Sequence, residues 1–444
     1  MTKTGFAVLG AVLMCAAVCR AEYPISCWTA YRFADDCDAE RIVRDWRALG
    51  VNLPMSPSVD GATGKAAFRN LLDLCGKSGL RVIVQDRRIG TSGVRDFIRT
   101  GDEAAYRAAC RAVKSDWGGH PAVAGFYVYD EPDAKESVRT FRAARIQAEE
   151  IPEKQPYLNL LPWFDWIAER IGATALAPYL DRCFAETGLK TLGYDCYTQQ
   201  YKGDSGYDLY FNNLREWGEF GKRSGCRWNT TLVCTPHLGY EIRNKADYHW
   251  QISTAVAMGA SGISWFYPDL HTGYHSSYHD APINPLGERT MAFYMLGEAN
   301  RLFQKQYGAL FSSLTFESAH LLGCSYGGVG AFAGDRHVPG VMPKKASADD
   351  SPLLVSFFHD AKGVRHLVLV NLHREETRSF RVTFAEGVCP HVKGWDSWRP
   401  MKPSSDAGVA NAVGEYGNTG SLWFHIAAGR MEVVRLDGSA SDDK

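Results

Sequence analysis

The sequence predicts an α/β chain: a (β/α)8 TIM barrel followed by a small C-terminal antiparallel β-sandwich. Three observations predict it. Eight short apolar runs begin 26 to 42 residues apart, the spacing of a strand, a helix and two loops. Amphipathic helical patterns fill the gaps between those runs. From about Leu310 the helical period stops, and strand-length runs alternate with Gly, Asp and Asn turns, the pattern of a sandwich.

The eight strand candidates are Pro24–Tyr31, Gly50–Ser56, Leu80–Asp86, Ala122–Asp130, Pro156–Leu161, Lys190–Tyr197, Arg227–Cys234 and Ser261–Tyr267. Between them, Asp38–Leu49 places Ile42, Trp46 and Leu49 on one helical face, and Lys65–Ser78 does the same with Phe68, Leu71, Leu72 and Cys75. Lys135–Glu150, Tyr210–Arg223 and Ala246–Met258 carry the same period. Gly50, Gly79, Gly225 and Gly259 stand where such helices end. Trp46 and Trp217, on helix faces, read as core. Eight units in about 280 residues match a TIM barrel. The alternative is a doubly wound open sheet, which usually carries a glycine-rich phosphate loop after its first strand; none is present. Leu314–Cys324, Pro352–His359, His366–Asn371, Ser379–Phe384, Ser421–Ala427 and Met431–Leu436 are the sandwich strands, and Arg336–Asp350 reads as a loop. The expected divisions are a barrel over 22–308, a sandwich over 309–438 and a frayed tail over 439–444.

Composition narrows the function. The 444 residues carry 49 Lys+Arg against 50 Asp+Glu, a balance that lacks the basic face nucleic acid requires. Trp and Tyr number 12 and 21, which suits flat apolar platforms as well as a core. Lys3, the apolar run Phe6–Val18 and the exit Cys19-Arg20-Ala21 form a secretory signal pattern, with cleavage expected after Ala21. Lipidation at Cys19 fits less well, because bulky Val18 precedes it. The run is shorter than the ~20 residues of a membrane span, and no later run is longer. The expectation is a periplasmic or secreted protein without a membrane span. The ten cysteines from Cys27 to Cys389 show no C-x-x-C and no zinc spacing. They read as a mix of buried small hydrophobes and one or two disulfides, whose pairing the sequence does not give.

The chemistry of such a barrel lies at the C-terminal strand ends. There the fourth strand ends in Tyr129-Asp130-Glu131-Pro132. A carboxyl packed against Tyr and Phe has a raised pKa, as a general acid needs near neutral pH, so Glu131 is the expected acid. The competing reading is that these acids cap the next helix, with Asp133. Asp195, between Tyr194 and Cys196-Tyr197 at the sixth strand end, is the candidate second carboxylate. It could instead orient a sugar hydroxyl or lock Arg32 or Arg87. Regular strand alternation would send Asp130 to the helix side if Glu131 faces the pocket. Asp269 and Glu241 are loop acids within reach of the mouth.

These strand ends resemble the clan-A superfamily of barrel glycoside hydrolases, and within it the β-galactosidase-like secreted bacterial proteins. The resemblance rests on GFYVYDEPD at the fourth strand, LGYDCY at the sixth and GASGISWFYPD at the eighth, and covers roughly 24–305. It implies that Glu131 is the acid/base. It also implies a nucleophilic Glu at the seventh strand end, where this sequence has TTLVCTPH, ending in Thr235-Pro236-His237 without a carboxylate.

Further strand-end residues would form a sugar-binding ring: Trp28 and Arg32, Asn52, Asp86 with Arg87 and Arg88, Asn159 and Trp163, Tyr197, His237, and Trp265, Tyr267 and Asp269. Aromatic platforms match the C–H faces of sugars, and the polar groups match their hydroxyl edges. The loop after the eighth strand carries His271, His275 and His279; a zinc site there is one reading and a lid over the pocket the other. The expected function is hydrolysis of O-glycosidic bonds in an oligo- or polysaccharide, with Glu131 as acid and no cofactor. The alternative is a carbohydrate-binding barrel that has lost turnover with the seventh-strand carboxylate.

Overall fold

The computed structural model describes residues 22–34, 37–61, 64–201, 206–270, 277–344, 351–402 and 420–438. The expected signal segment 1–21, the expected tail 439–444, and His271 and His275 lie outside them. Seven parallel strands form one sheet: β1 (Ile25–Cys27), β2 (Val82–Val84), β3 (Val123–Asp130), β4 (Gln155–Leu160), β5 (Thr191–Asp195), β6 (Arg227–Val233) and β7 (Gly262–Phe266), in the order β1-β7-β6-β5-β4-β3-β2. The second of the eight expected strands, Gly50–Ser56, closes the circle without forming a regular ladder. Leu53 N and Met55 N donate to Ile25 O and Cys27 O of β1, while Ile83 N of β2 donates to Pro54 O and Ser56 N to Ile83 O, all at 2.9–3.1 Å. Pro54 has no N–H to give, so pairing is interrupted there. The result is a (β/α)8 barrel with one irregular stave.

The expected helices form, and among the described residues four more of at least ten residues appear: Thr91–Thr100, Glu103–Val113, Leu176–Thr187 and Met291–Phe303. Asp38 caps Ala39–Ala48 by accepting from Arg41 N. Asp133 and Glu136 form a reciprocal capping box on Ala134–Glu150. Trp46 and Trp217 are buried, as expected of core. Inside the barrel, Met55, Ile83, Tyr127 and Tyr157 pack together with Trp28 and Leu53 against them, a floor beneath the mouth. None of the ten cysteines is paired, and seven are buried. No helix among the described residues is long and apolar enough to cross a membrane.

After the barrel come two antiparallel sheets. One contains β8 (Thr315–Leu322), β10 (Leu353–His359), β11 (Arg365–Asn371), β13 (Cys389–Lys393), β14 (Trp398–Pro400) and β16 (Met431–Asp437); the other contains β9 (Gly340–Pro343), β12 (Arg378–Phe384) and β15 (Gly420–Ile426). β9 falls inside the segment expected to be loop, and β13 and β14 have no counterpart among the expected strands. All three contain proline, and a ladder tolerates it only at edges and ends.

The centre of the larger sheet, β10 and β11, is buried on both faces. Leu353, Val355, Phe357, Leu367 and Leu369 face the small sheet. Leu354, Phe358, Val368 and Val370 face the barrel and join its core. That explains why β10 and β11 read as unbroken apolar runs instead of alternating ones. Burying each large apolar side chain contributes about 1.5–3 kcal/mol, so the sandwich is fastened by core packing. Val368→Asp, on the barrel side, is therefore expected to destabilise the chain as severely as Leu369→Asp on the opposite side, each by ~3 kcal/mol or more. Urea midpoints of the two variants measure this; a neutral Val368→Asp would mean that the barrel-facing side is solvated.

Candidate active site

The site begins with a fault in β3. Its register with β4 runs Gly125 to Gln155, Phe126 to Pro156 and Tyr127 to Tyr157, then skips Val128 and resumes with Tyr129 opposite Leu158 and Asp130 opposite Asn159. The extra residue is a bulge, which inverts the in/out phase beyond it. Tyr127 points into the barrel. Tyr129, two residues on, points to the helices, donates its hydroxyl to Glu136 Oε1 at 2.7 Å and accepts from Arg95 Nε at 3.3 Å. Asp130 consequently faces the mouth, correcting the alternation argument that sent it to the helices. Glu131 follows with φ +48°, a left-handed conformation unusual for a residue with a Cβ. Its N–H donates to Asn159 O at 3.0 Å. Helix capping is done by Asp133, so the capping reading of Glu131 does not hold.

Asn159 of β4, 1% exposed, joins the acids. Its amide nitrogen donates to Asp130 Oδ1 at 2.9 Å and to Asp195 Oδ1 at 2.7 Å. Asp195 and Glu131 lie close enough for each to shift the other's ionisation. Three carboxyls thus gather at the ends of β3 and β5, two of them on one amide. Asp130 is reachable from the mouth but ringed by protein, and that desolvation, with the Glu131 charge, pushes it up to about 7 against the opposing Asn159 donor. Burial raises Asp195 well above the ordinary carboxylate range, and the charges of Glu131 and Asp130 add to it. Burial also raises Glu131, opposed by the Arg170 guanidinium and by its neighbour Asp195. The cluster therefore keeps protons at pH values where free carboxyls have lost them.

Aromatic rings face the acids. Tyr197 stacks on Phe266, centroids 5.7 Å apart at 23°, and meets His237 and Tyr240 edge-on at 5.9 and 5.6 Å. His237 stacks on Tyr278 at 4.6 Å, and its Nδ1 bonds Thr235 O at 2.8 Å. Burial lowers the His237 pKa, so the ring is neutral near neutral pH. Trp28 meets Phe266, Tyr127 and Tyr157 edge-on and donates Nε1 to Thr231 Oγ1 at 3.2 Å. After β4, Phe164 and Trp166 stack at 5.4 Å, with Trp166 72% exposed.

The structure gathers Glu131, Asp195, Asn159, Tyr197, His237 and Trp28 at the mouth. Other expected site residues lie elsewhere. Asn52 is at the opposite end of the barrel, where its Oδ1 accepts from Ile25 N at 2.8 Å and its amide donates to Tyr23 O and Glu22 Oε2 at 3.0 Å. Asp86 is fully buried, accepting from Arg88 N, Nε and Nη2 at 2.7–3.0 Å and from Trp117 Nε1 at 2.9 Å. Arg32 pairs with Asp60 at the rim. Arg87 bonds Ser92 Oγ at 3.4 Å and lines a side pocket of ≈ 170 Å³ with Gln85, Thr91 and Tyr127. Neither arginine is locked by Asp195. Trp265 is fully buried and donates to Asn300 Oδ1 at 3.0 Å on the helix side; Tyr267 is buried among Leu270, Ala281 and Phe266. The eighth-strand aromatic at the mouth is Phe266, one residue out of phase with the expectation. Asp269 lies 4.0 Å from Arg41 on the first helix. The residues sequence reasoning missed are Phe266, Tyr240, Tyr278, Thr231 and Trp166. Tyr240 and Trp166 sit in polar loops after strand ends, which was the available signal.

No protein-family model matches the chain, and no curated protein does. Solved structures do. A GH42 β-galactosidase from G. stearothermophilus superposes with a TM-score of 0.62 at 8% identity, over 94% of this chain and 98% of that one. A family 5 glycoside hydrolase from Bacteroides vulgatus gives 0.54 at 11%, over 95% and 90%. A cold-adapted β-galactosidase from Rahnella sp. R3 gives 0.51 at 10%, over 68% of this chain; the chain spans only 58% of that protein's length. These are the barrel hydrolases that the three strand-end motifs resemble. At such identities the likeness is one of architecture: the chain has the (β/α)8-barrel fold these hydrolases share, with its antiparallel sheets packed on the barrel.

Proposed function

We propose that the chain is a glycoside hydrolase acting on an oligo- or polysaccharide, exported by way of its N-terminal segment. The observation that carries the reading is the meeting of Glu131, Asp195 and Asp130 around Asn159, opposite a wall of Tyr197, Phe266 and Trp28. Common glycoside hydrolysis uses two carboxyls in opposite protonation states. Burial and mutual repulsion favour that state here, because ionising one acid raises its neighbour. Glu131 gives its proton to the glycosidic oxygen as the bond to the anomeric carbon breaks. Asp195 is the second carboxylate, attacking that carbon or taking a proton from water. One proton is shared by the pair, and it passes from Asp195 to Glu131 as the glycosidic oxygen replaces Asp195 as the partner of Glu131, leaving Asp195 ionised. The pKa of Asp130 near 7 suits it to hold a sugar hydroxyl.

A second reading has one specific observation behind it. β6 is followed by Thr235, whose hydroxyl donates to Tyr267 O at 2.7 Å, and by His237, so no carboxylate stands where the resemblance implies a nucleophile. On that reading the barrel binds saccharide without cleaving it.

Glu131→Gln separates the two. As a hydrolase, the wild type releases product from a panel of glycosides, and the variant loses about 10²–10⁴-fold in kcat/KM while binding changes little. A wild type that binds saccharide and releases nothing establishes the binding reading. The pH profile is the second test. Asn159→Ala removes the donor that opposes the rise of Asp130 and Asp195, so the acidic limb of kcat/KM, set by ionisation of Asp195, should move to higher pH as the rate falls. Stability is the third. Folded Asp130 keeps its proton to about 7, whereas the unfolded chain releases it near 4. Folding therefore takes up a proton between those values, and the stability present below pH 4 is lost as pH rises through 7. Asp130→Asn should be more stabilising relative to wild type at pH 8 than at pH 4, by on the order of 1–2 kcal/mol after solvent screening. Melting temperatures at the two pH values measure this.

A further inference from the structure

The sandwich sends one side chain deep into the barrel. Arg374, on the connection between β11 and β12, is 6% exposed, and the residues it meets are buried with it. Its Nη1 donates to Gln199 O at 2.7 Å and to the Tyr207 hydroxyl at 3.2 Å. Its Nε lies 2.7 Å from Asp247 Oδ1, and its guanidinium sits 4.8 Å from the Trp250 ring centroid. Trp250 in turn donates Nε1 to Leu372 O at 3.0 Å, so the connection is held from both directions.

What lies beyond Gln199 gives this anchor its interest. Gln199 belongs to the short turn Thr198–Gln200 that directly follows Tyr197. Its side-chain amide donates to Gln251 Oε1 at 3.1 Å. Gln251 clamps the end of β6, accepting from Val233 N at 3.1 Å and donating to Val233 O at 3.0 Å. Four residues on is His237. The two turns are also tied directly, since Glu241 N donates to Gln200 O at 2.8 Å and Tyr201 stacks on Tyr240 at 4.7 Å. One unbroken chain of buried contacts thus runs from the sandwich to both turns that carry the wall facing the acids.

We propose that Arg374 is a positioning residue for the saccharide site: the sandwich, through this one guanidinium, sets the Tyr197 and His237 turns at the distance from the carboxyls that a sugar ring requires. The proposal rests on the hydrolase reading for its purpose, but the geometry it asserts can be tested without substrate. Arginine suits the task because its planar fork serves the Asp247 carboxylate and the Gln199 carbonyl at once. A lysine can serve one of them.

The test is hydrogen exchange by mass spectrometry on the full chain, comparing wild type with Arg374→Met and Arg374→Lys. Arg374→Met should speed exchange about tenfold in peptides covering 196–201 and 234–241, the consequence of losing one charge-assisted hydrogen bond. β3, β4, β11 and β16 should be unchanged. Arg374→Lys, which keeps a cation beside Asp247 and Trp250, should fold even if the Met variant does not, and should loosen 196–201 while leaving the N-terminus of helix Lys245–Ala257 protected. With the p-nitrophenyl glycoside that the wild type turns over fastest, Arg374→Lys should raise KM about tenfold and leave kcat and its pH profile within a factor of about three, because the carboxyls are held by Asn159. Exchange that rises equally across the whole barrel–sandwich contact, or does not rise at the two turns, overturns the proposal. A wild type that cleaves no glycoside defeats the hydrolase reading, and the exchange data still decide the role of Arg374.

Discussion

Everything at the mouth depends on the half-turn that β3 makes between Tyr127 and Glu131. In a regular strand two adjacent acids point to opposite faces. Here the bulge at Val128 inverts the phase, and the left-handed Glu131 ends the strand. Such a conformation costs roughly 1–3 kcal/mol. The Glu131 N–H bond to Asn159 O and the fixed φ of Pro132 help hold it. The same Asn159 then uses its side chain to tie Asp130 to Asp195. One residue of β4 therefore sets both the backbone that presents the acids and the spacing between them.

That spacing works against stability. Three carboxyls above a floor of Met55, Ile83, Tyr127 and Tyr157 are ringed by protein and repel one another. The Arg170 guanidinium opposes the rise of Glu131. The cluster tolerates this by remaining partly protonated, since a neutral carboxyl can donate to an ionised one. Groups arranged at a cost to folding are the ordinary mark of a site shaped for chemistry. The fold can carry that cost because its core is large and continuous: the barrel-facing side of β10 and β11 joins the same apolar cluster as the barrel helices.

The sequence showed the architecture plainly, because strand spacing and helical period survive any local irregularity. It also pointed to Glu131 and Asp195, since acids ending apolar strands beside aromatics are conspicuous. What it could not show was phase. A bulge leaves no mark in VAGFYVYD, so Asp130 was sent to the wrong face. In β7 a continuous apolar run has no polar residue to report which side is inward, so Trp265 was favoured over Phe266. Asn52 begins its strand instead of ending it, which places it at the far end of the barrel. Asp86 does end a strand, but Arg88 two residues later and Trp117 across the core satisfy it completely. Partners distant in sequence settled that case.

The mouth is divided in a way that bears on its chemistry. Acids come from β3 and β5, bridged from β4 between them; rings come from β1, β7 and the turns after β5 and β6. The β6 end, across the mouth from Glu131, holds a neutral His237 stacked on Tyr278. Neutral imidazole there offers a hydrogen bond and a flat surface but no anionic nucleophile. Two carboxyls flanking a sugar from opposite sides are thus replaced by carboxyls gathered on one side and a wall on the other. A saccharide lying between them would present one face to the rings and its glycosidic oxygen to the acids. The distance between acid side and wall then matters as much as the distance between the acids. The β5 and β6 turns set that distance, and both are braced from outside the barrel.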